Sequence, residues 1–334
     1  MTLDGFERGG TPVHYLRDMT SFVPLRFRAG ITVVILMIVT TACGSTTAGT
    51  SSSVTTRPKA PAPAPLLYVS LGDSYAAGFQ PTGPHSGHTD TNGFAYQVTG
   101  LAAKKGYNFK LVNFGCGGAT TTSILYSIGC PRLALGPAAT PYPTQSQATA
   151  AEAFLRSHRG KVGLITVSIG GNDVTACTAA KNTAACVVTA IKGINKNVAV
   201  LLKGLRAAAG PNVRIVGTTY PDVILGLYLS KTPTLRALAK LSVIAFKDLI
   251  NPALKKLYVA VGGSFVDVTA ATGAYGPLAD TTVLPPYGKI PIPVAKVCQL
   301  TFFCEYQNIH PKTAGYKVIA ELVVATLPEH HPAT

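Results

Sequence analysis

The chain has 334 residues, 47% of them hydrophobic and 13% charged, with 29 Lys and Arg against 14 Asp and Glu for a net charge of +15. An ordinary soluble domain is about 25% charged; a chain this apolar buries a core, which excludes disorder throughout, and it holds no second apolar run of the roughly 18–20 residues a membrane span needs, which excludes a multi-span membrane protein. The basic residues stand singly or in pairs, as in Lys104-Lys105 and Lys255-Lys256, so no patch for nucleic acid is expected and an anionic envelope surface is the plausible neighbour of the charge.

Arg26 and Arg28 precede an apolar run from Ile31 to Val39, which Thr40-Thr41-Ala42-Cys43 closes. A charged lead, a short apolar run and a small-residue exit make an export signal, and the run is too short to span a bilayer. The expectation is a signal peptide over 1–42, with Met19 as an alternative start. Cys43, followed by Gly44 and Ser45, resembles the acylated cysteine of a bacterial lipoprotein, a possible membrane tether; the other reading is ordinary cleavage nearby. Residues 44–65 hold nine Ser or Thr and four Pro, too polar for a core and suited to extended polyproline II. Residues 43–65 therefore read as a tether and 66–330 as one folded domain. Without residues 1–42 the net charge falls only from +15 to +14, so the basic excess belongs to the exported part.

From Leu66 the chain alternates strand and helix patterns. Leu66–Leu71, Phe109–Phe114, Val162–Ile169, Val213–Gly217 and Phe265–Val268 are short apolar runs that read as buried parallel strands. Between and after them, Ala95–Lys105, Ala148–Ser157, Cys186–Ala209, Thr234–Val261 and Pro311–Thr326 read as helices. That rhythm predicts an α/β fold, an open parallel sheet with helices on both faces, whose sites form at the carboxyl ends of strands. Segments 79–94 and 270–300 lack periodicity and read as long loops over such a site.

Chemistry-bearing blocks fall at three strand ends and before the last helix. Gly72-Asp73-Ser74 follows the first strand and exposes a serine on a strand-to-helix turn. Gly115-Cys116-Gly117-Gly118 follows the second, where glycines let backbone N–H groups face a ligand. Gly170-Gly171-Asn172-Asp173 follows the third and offers a side-chain amide, or merely a helix cap. Asn308-Ile309-His310-Pro311 opens the final helix: Pro311 suits its first position, and His310 beside the positive helix end stays neutral. Each block alone is weak; their order is specific.

Those four blocks, in that order, resemble the SGNH or GDSL hydrolase family over about residues 66–326, and most closely its secreted actinobacterial esterase/lipase branch with three disulfides. The resemblance implies a flavodoxin-like three-layer α/β/α sandwich and hydrolysis of acyl esters with no metal or cofactor. It implies Ser74 as nucleophile, His310 as general base, and an oxyanion hole formed by the Ser74 and Gly118 N–H groups and the Asn172 amide. Asp73 and Asp173 are expected to orient their turns. One position departs from the family: three residues before the histidine, where an aspartate is usual, stands Gln307. The main-chain carbonyl of Gln307 is the expected orienter of His310, giving a Ser–His dyad, with Glu305 and Asp267 as outside substitutes.

Six cysteines remain after Cys43, and six allow fifteen pairings that sequence cannot choose among. Close spacing suggests, and the resemblance supports, Cys116–Cys130, Cys177–Cys186 and Cys298–Cys304. Neither C-x-x-C nor paired His–Cys spacing is present, and His85 and His88 read as surface residues, so no metal is expected. The functional expectation is an exported, monomeric serine esterase or lipase that hydrolyses acyl esters of lipid or envelope carbohydrate. The alternatives are acyl transfer to carbohydrate and a catalytically inactive surface-binding lipoprotein. Leu225–Leu229 and Val283–Tyr287 either line an acyl pocket or pack in a core.

Overall fold

The structure is a computed structural model that describes residues 65–329. The expected leader, Met19, Cys43 and all of the tether but Pro65 lie outside the described residues.

Five strands, β1 (Leu66–Gly72), β2 (Phe109–Asn113), β3 (Val162–Ser168), β4 (Arg214–Thr218) and β5 (Ser264–Val266), form one sheet in the order β2-β1-β3-β4-β5, every pair parallel. This is the doubly wound, flavodoxin-like order, in which the chain reverses its winding between β1 and β3 and leaves a crevice at their carboxyl ends. Both faces are covered, which is why the strands read as continuous apolar runs. Val69, Leu71, Ile165 and Val167 point to one face, beneath α2 (Gln147–Ser157) and α3 (Thr183–Ala209). Tyr68, Leu164 and Val216 point to the other, beneath α1 (Phe94–Ala103) and a final helix at Thr313–Ala325.

Local chemistry sets the helix ends. Ser146 caps α2 through Thr149 N–H, and Asn182 caps α3 through Ala185 N–H, so that helix starts at Thr183, three residues before the predicted Cys186. The predicted helix over 234–261 is α4 (Pro233–Ile244), a π-helical stretch at Ala245–Ile250, and α5 (Asn251–Ala260).

Segments 79–94 and 270–300 are more ordered than their sequence suggests. Phe79–Gly83 pairs with Ser86–Thr89, and Thr281–Leu284 with Gly288–Pro291, as antiparallel ribbons, and α6 (Ile292–Leu300) follows. Leu225, Leu227, Tyr228 and Leu229 of one stretch and Leu284 and Tyr287 of the other meet in a third apolar core under α4 and α6, while Val283 is exposed. Leu225 is fully buried there, and a Cβ on Gly226 would come within 2.4 Å of the Phe303 ring, so this is packing. The last helix, α7, is Thr313–Ala325.

The close approach of β1 and β3 at the crevice requires glycine. Gly72 has φ +141°, and a Cβ there would lie 2.0 Å from the Ser168 carbonyl oxygen. Gly72→Ala is expected to cost about 3 kcal/mol or more through strain and overpacking, which lowers the Tm of a domain this size by roughly 6–12 °C; a melt within two degrees of wild type (about 1 kcal/mol) contradicts that packing.

Candidate active site

Ser74 opens a single helical turn, Ser74–Ala77, directly after β1, and its side chain is buried at the crevice. Asp73 caps that turn: one carboxylate oxygen accepts from Tyr75 N–H at 2.9 Å and the other from the Tyr220 hydroxyl at 2.6 Å. Burial raises the Asp73 carboxyl from 3.8 to about 7, with its hydrogen bonds opposing. Below the turn, Gln147 clamps Gly72 on both sides of its Cα, accepting from N–H at 2.7 Å and donating to C=O at 3.0 Å.

His310 meets Ser74 across 236 residues of sequence, with Nε2 2.7 Å from the serine Oγ. Its ring lies between Phe79 (centroids 4.6 Å apart) and Tyr75 (5.8 Å), and burial lowers the imidazole from 6.5 to about 3. The loop that carries it is pinned from several sides. Tyr75 donates its hydroxyl to Ile309 O at 2.6 Å, Phe302 N–H donates to His310 O, and Thr301 bridges Pro311. That bridge carries the chain straight through Pro311, so α7 starts at Thr313 and His310 stands ahead of the helix rather than at its first turn.

The orienter of His310 is Asn308, a correction to the expectation for Gln307. Asn308 Oδ1 lies 2.6 Å from His310 Nδ1 and accepts the His310 backbone N–H at 3.1 Å. A backbone N–H can only donate, so it fixes the oxygen end of the amide toward the ring. Nδ1 therefore carries the proton, and Nε2 presents its lone pair to the serine hydroxyl. Gln307, left-handed at φ 53°, ends the preceding helical turn Phe303–Tyr306. Neither outside carboxylate takes its place. Glu305 pairs with Lys312, and Asp267 caps Val268–Ala271 and bonds Asn251 and Tyr275.

The other two blocks converge on the same crevice. Gly118, at φ +80°, follows β2, and neither its N–H nor that of Ser74 meets a protein acceptor among the described residues. Asn172 donates Nδ2 to Ala119 O at 2.8 Å, which ties its turn after β3 to the Gly118 turn and leaves the second amide hydrogen free of any acceptor among the described residues. Asp173 accepts from Thr121 N–H and Oγ1 at 2.8 and 2.5 Å, a turn-orienting contact. The three disulfides are Cys116–Cys130, Cys177–Cys186 and Cys298–Cys304. A cavity of about 270 Å³ opens beside Gly118, walled by Cys116, Ala119, Ile124, Ile128, Pro131 and Tyr142.

The sequence from 70 to 318 matches the GDSL-like Lipase/Acylhydrolase family. The chain belongs to that family. Membership makes it a carboxylic ester hydrolase of the esterase and lipase kind. No curated protein matches the sequence significantly. Among solved structures, the chain is similar to an extracellular lipase from Streptomyces rimosus, at 18% identity over 77% of this chain and 99% of that one, with a TM-score of 0.41. It is likewise similar to an aryl esterase from M. smegmatis (15% identity, 78% and 100% coverage, TM-score 0.40). A lipolytic G-D-S-L protein from Veillonella parvula is a third (11%, 78% and 97%, 0.41). The family match alone carries the assignment.

Sequence reasoning passed over Asn308, Tyr75, Tyr220 and Gln147. Only Asn308 had a legible signal, since asparagine commonly bonds the backbone two residues on. Asn308→Ala removes a hydrogen bond to a ring that becomes charged, worth about 1.5–3 kcal/mol, so kcat is expected to fall roughly ten- to a hundredfold. Asn308→Asp is expected to keep activity and move the acid limb of the pH–rate profile upward, because a carboxylate favours imidazolium; an unmoved limb contradicts the contact. The Asp73 shift has its own sign. The folded carboxyl keeps a proton that the unfolded one releases near 3.8, so its stabilisation is present below 3.8 and is lost as pH rises to about 7. The Tm advantage of wild type over Asp73→Asn should therefore shrink between pH 4 and 7, and a constant difference shows the carboxylate to be charged in the fold.

Proposed function

We propose that the chain is an exported serine esterase or lipase that works through an acyl-enzyme formed on Ser74. The observation that carries this reading is the Asn308–His310–Ser74 relay, in which an amide oxygen fixes the tautomer that leaves Nε2 facing the serine hydroxyl.

In the first half-reaction His310 takes the Ser74 proton as Oγ bonds to the substrate carbonyl carbon. The carbonyl electron pair moves to oxygen, and the resulting tetrahedral oxyanion accepts from the N–H groups of Ser74 and Gly118 and from the free amide hydrogen of Asn172. Each such donor is worth about 3 kcal/mol in comparable sites. His310 then returns its proton to the leaving alcohol as the C–O bond breaks. In the second half-reaction water repeats the attack, with His310 again the base, and releases the acid and Ser74. A base held well below 6.5 is uncharged throughout the neutral range and stays available in mildly acid solution.

The apolar cavity beside Gly118 supports an acyl chain as the group that leads away from the reacting carbon. Two of its polar side chains are already engaged, Gln147 with Gly72 and Ser123 in the capping box of Thr121–Tyr126, while Ser127 stands at an exposed position. A lipid-like ester suits such a wall better than an acylated sugar. The three disulfides support export, since such bridges persist in oxidising compartments, and the leader pattern over 1–42 agrees. A lipid anchor on Cys43 belongs to the same proposal.

A fluorophosphonate probe is expected to label the folded protein on Ser74 and to lose that labelling in Ser74→Ala; an unlabelled wild type overturns the nucleophile. In a p-nitrophenyl ester series, kcat/KM is expected to rise from acetyl toward medium chains, and a maximum at acetyl favours a carbohydrate deacetylase instead.

A further inference from the structure

Helix α4 presents an apolar face to solvent. Ala239 and Val243 turn inward onto the third core, while Leu235, Leu238, Leu241 and Ile244 are 37%, 38%, 59% and 53% exposed. Leu249, on the π-helical stretch that follows, is 56% exposed. Single exposed leucines are ordinary, but a contiguous run of them on one helical stretch marks an interaction surface.

The charges around this face define its partner. Lys231, Lys240 and Lys247 are exposed before and among the apolar residues, Lys247 with its ammonium 6.0 Å from the Tyr275 ring centroid, and Asp248 is the one acid between residues 231 and 250. Leucines on the outer face with lysines at its margins are the composition of a helix that lies in the plane of a lipid interface, the apolar side chains at the acyl boundary and the cations on anionic headgroups. The net charge of +15 favours the same surface at longer range. The placement also fits. The third core on which α4 packs includes Ile309, the residue before His310, so the helix and the histidine loop share one packed cluster.

We propose that α4 and the π-helical turn after it dock on an anionic lipid surface. This contact is separate from the catalytic roles assigned above and from any anchor at Cys43, and it places the hydrolase against lipid through its folded domain.

The chain contains no Trp, so Leu241→Trp in the full chain gives an indole that reports on this face alone, whatever the apolar run Ile31 to Val39 does. With vesicles of mixed phosphatidylglycerol and phosphatidylcholine the expected result is a blue shift of emission and quenching by brominated acyl chains, both much weaker with phosphatidylcholine alone. The double variant Lys240→Glu, Lys247→Glu in that background should weaken vesicle binding at least about tenfold. Ile244→Trp repeats the measurement should the first variant melt below its parent. Three results overturn the proposal. One is emission that stays at the solvent-exposed wavelength in phosphatidylglycerol vesicles. Another is a blue shift that grows with protein concentration without lipid, which assigns the face to a second copy. The third is an indole already shifted in the lipid-free monomer, which assigns it to another segment of this chain.

Discussion

The active-site geometry depends on a hydrogen bond between the two ends of the domain, from the Tyr75 hydroxyl to Ile309 O at 2.6 Å. Ser74 leaves β1 at the start of the fold, and His310 arrives on a loop after the whole sheet is complete. Nothing local relates them. Tyr75 does, because it follows the serine in the same helical turn and bonds the residue that precedes the histidine. Burial keeps its hydroxyl protonated far above neutral pH, so it remains a donor. Its ring is held edge-on by Tyr220 at 4.8 Å and Tyr316 at 5.7 Å, which ties the contact to the end of β4 and to α7. Loss of the acceptor would strand a buried hydroxyl at a cost of about 1–3 kcal/mol.

The remaining constraints act on the loops, where a parallel sheet alone gives little control. The sheet sets where β1, β2 and β3 end, but the turns that follow are glycine-rich. Side chains and bridges fix them. Asn113 accepts from Gly115 N–H and donates to Ala76 O, Asn172 holds Ala119 O, and Asp173 holds Thr121. One disulfide stands beside each of three functional segments: Cys116–Cys130 at the Gly118 turn, Cys177–Cys186 after Asn172, and Cys298–Cys304 before His310. The crevice is thus assembled from separate turns that are each tied twice.

How much of this was legible in the sequence follows from which forces are local. Strands buried on both faces show as unbroken apolar runs, so the predicted Val162–Ile169 differs from β3 by one residue. The motif order and the family resemblance it carries named Ser74, Gly118, Asn172 and His310, and the structure brings Ser74 and His310 to within 2.7 Å and ties the Asn172 turn to the Gly118 turn. The ribbons at 79–89 and 281–291 and helix α6 had no such signal. Their apolar residues, such as Leu284, Ile290, Val294 and Val297, face a core made by distant segments, and no period of two or three and a half survives in so short a stretch. The orienter was misplaced for a related reason. Counting back three residues led to Gln307, whereas the left-handed backbone at that residue ends a helical turn and brings the next side chain, Asn308, under the imidazole.

The same displacement changes the electrostatics of the site. A carboxylate beside the histidine would hold a permanent negative charge near the carbonyl oxygen that must become negative during attack. Here the oxygen that meets Nδ1 is a neutral amide, and the one buried carboxyl next to Ser74 is Asp73, which desolvation holds largely protonated up to about pH 7. Imidazolium then has no carboxylate to stabilise it, and burial already holds His310 well below its ordinary value. In the proposed mechanism the donors at Ser74, Gly118 and Asn172 act in a crevice where low dielectric strengthens each dipole, with the neighbouring Asp173 carboxylate engaged by Thr121. On the proposed mechanism, an amide in place of a carboxylate gives up basicity of the histidine and in return opposes the developing oxyanion less.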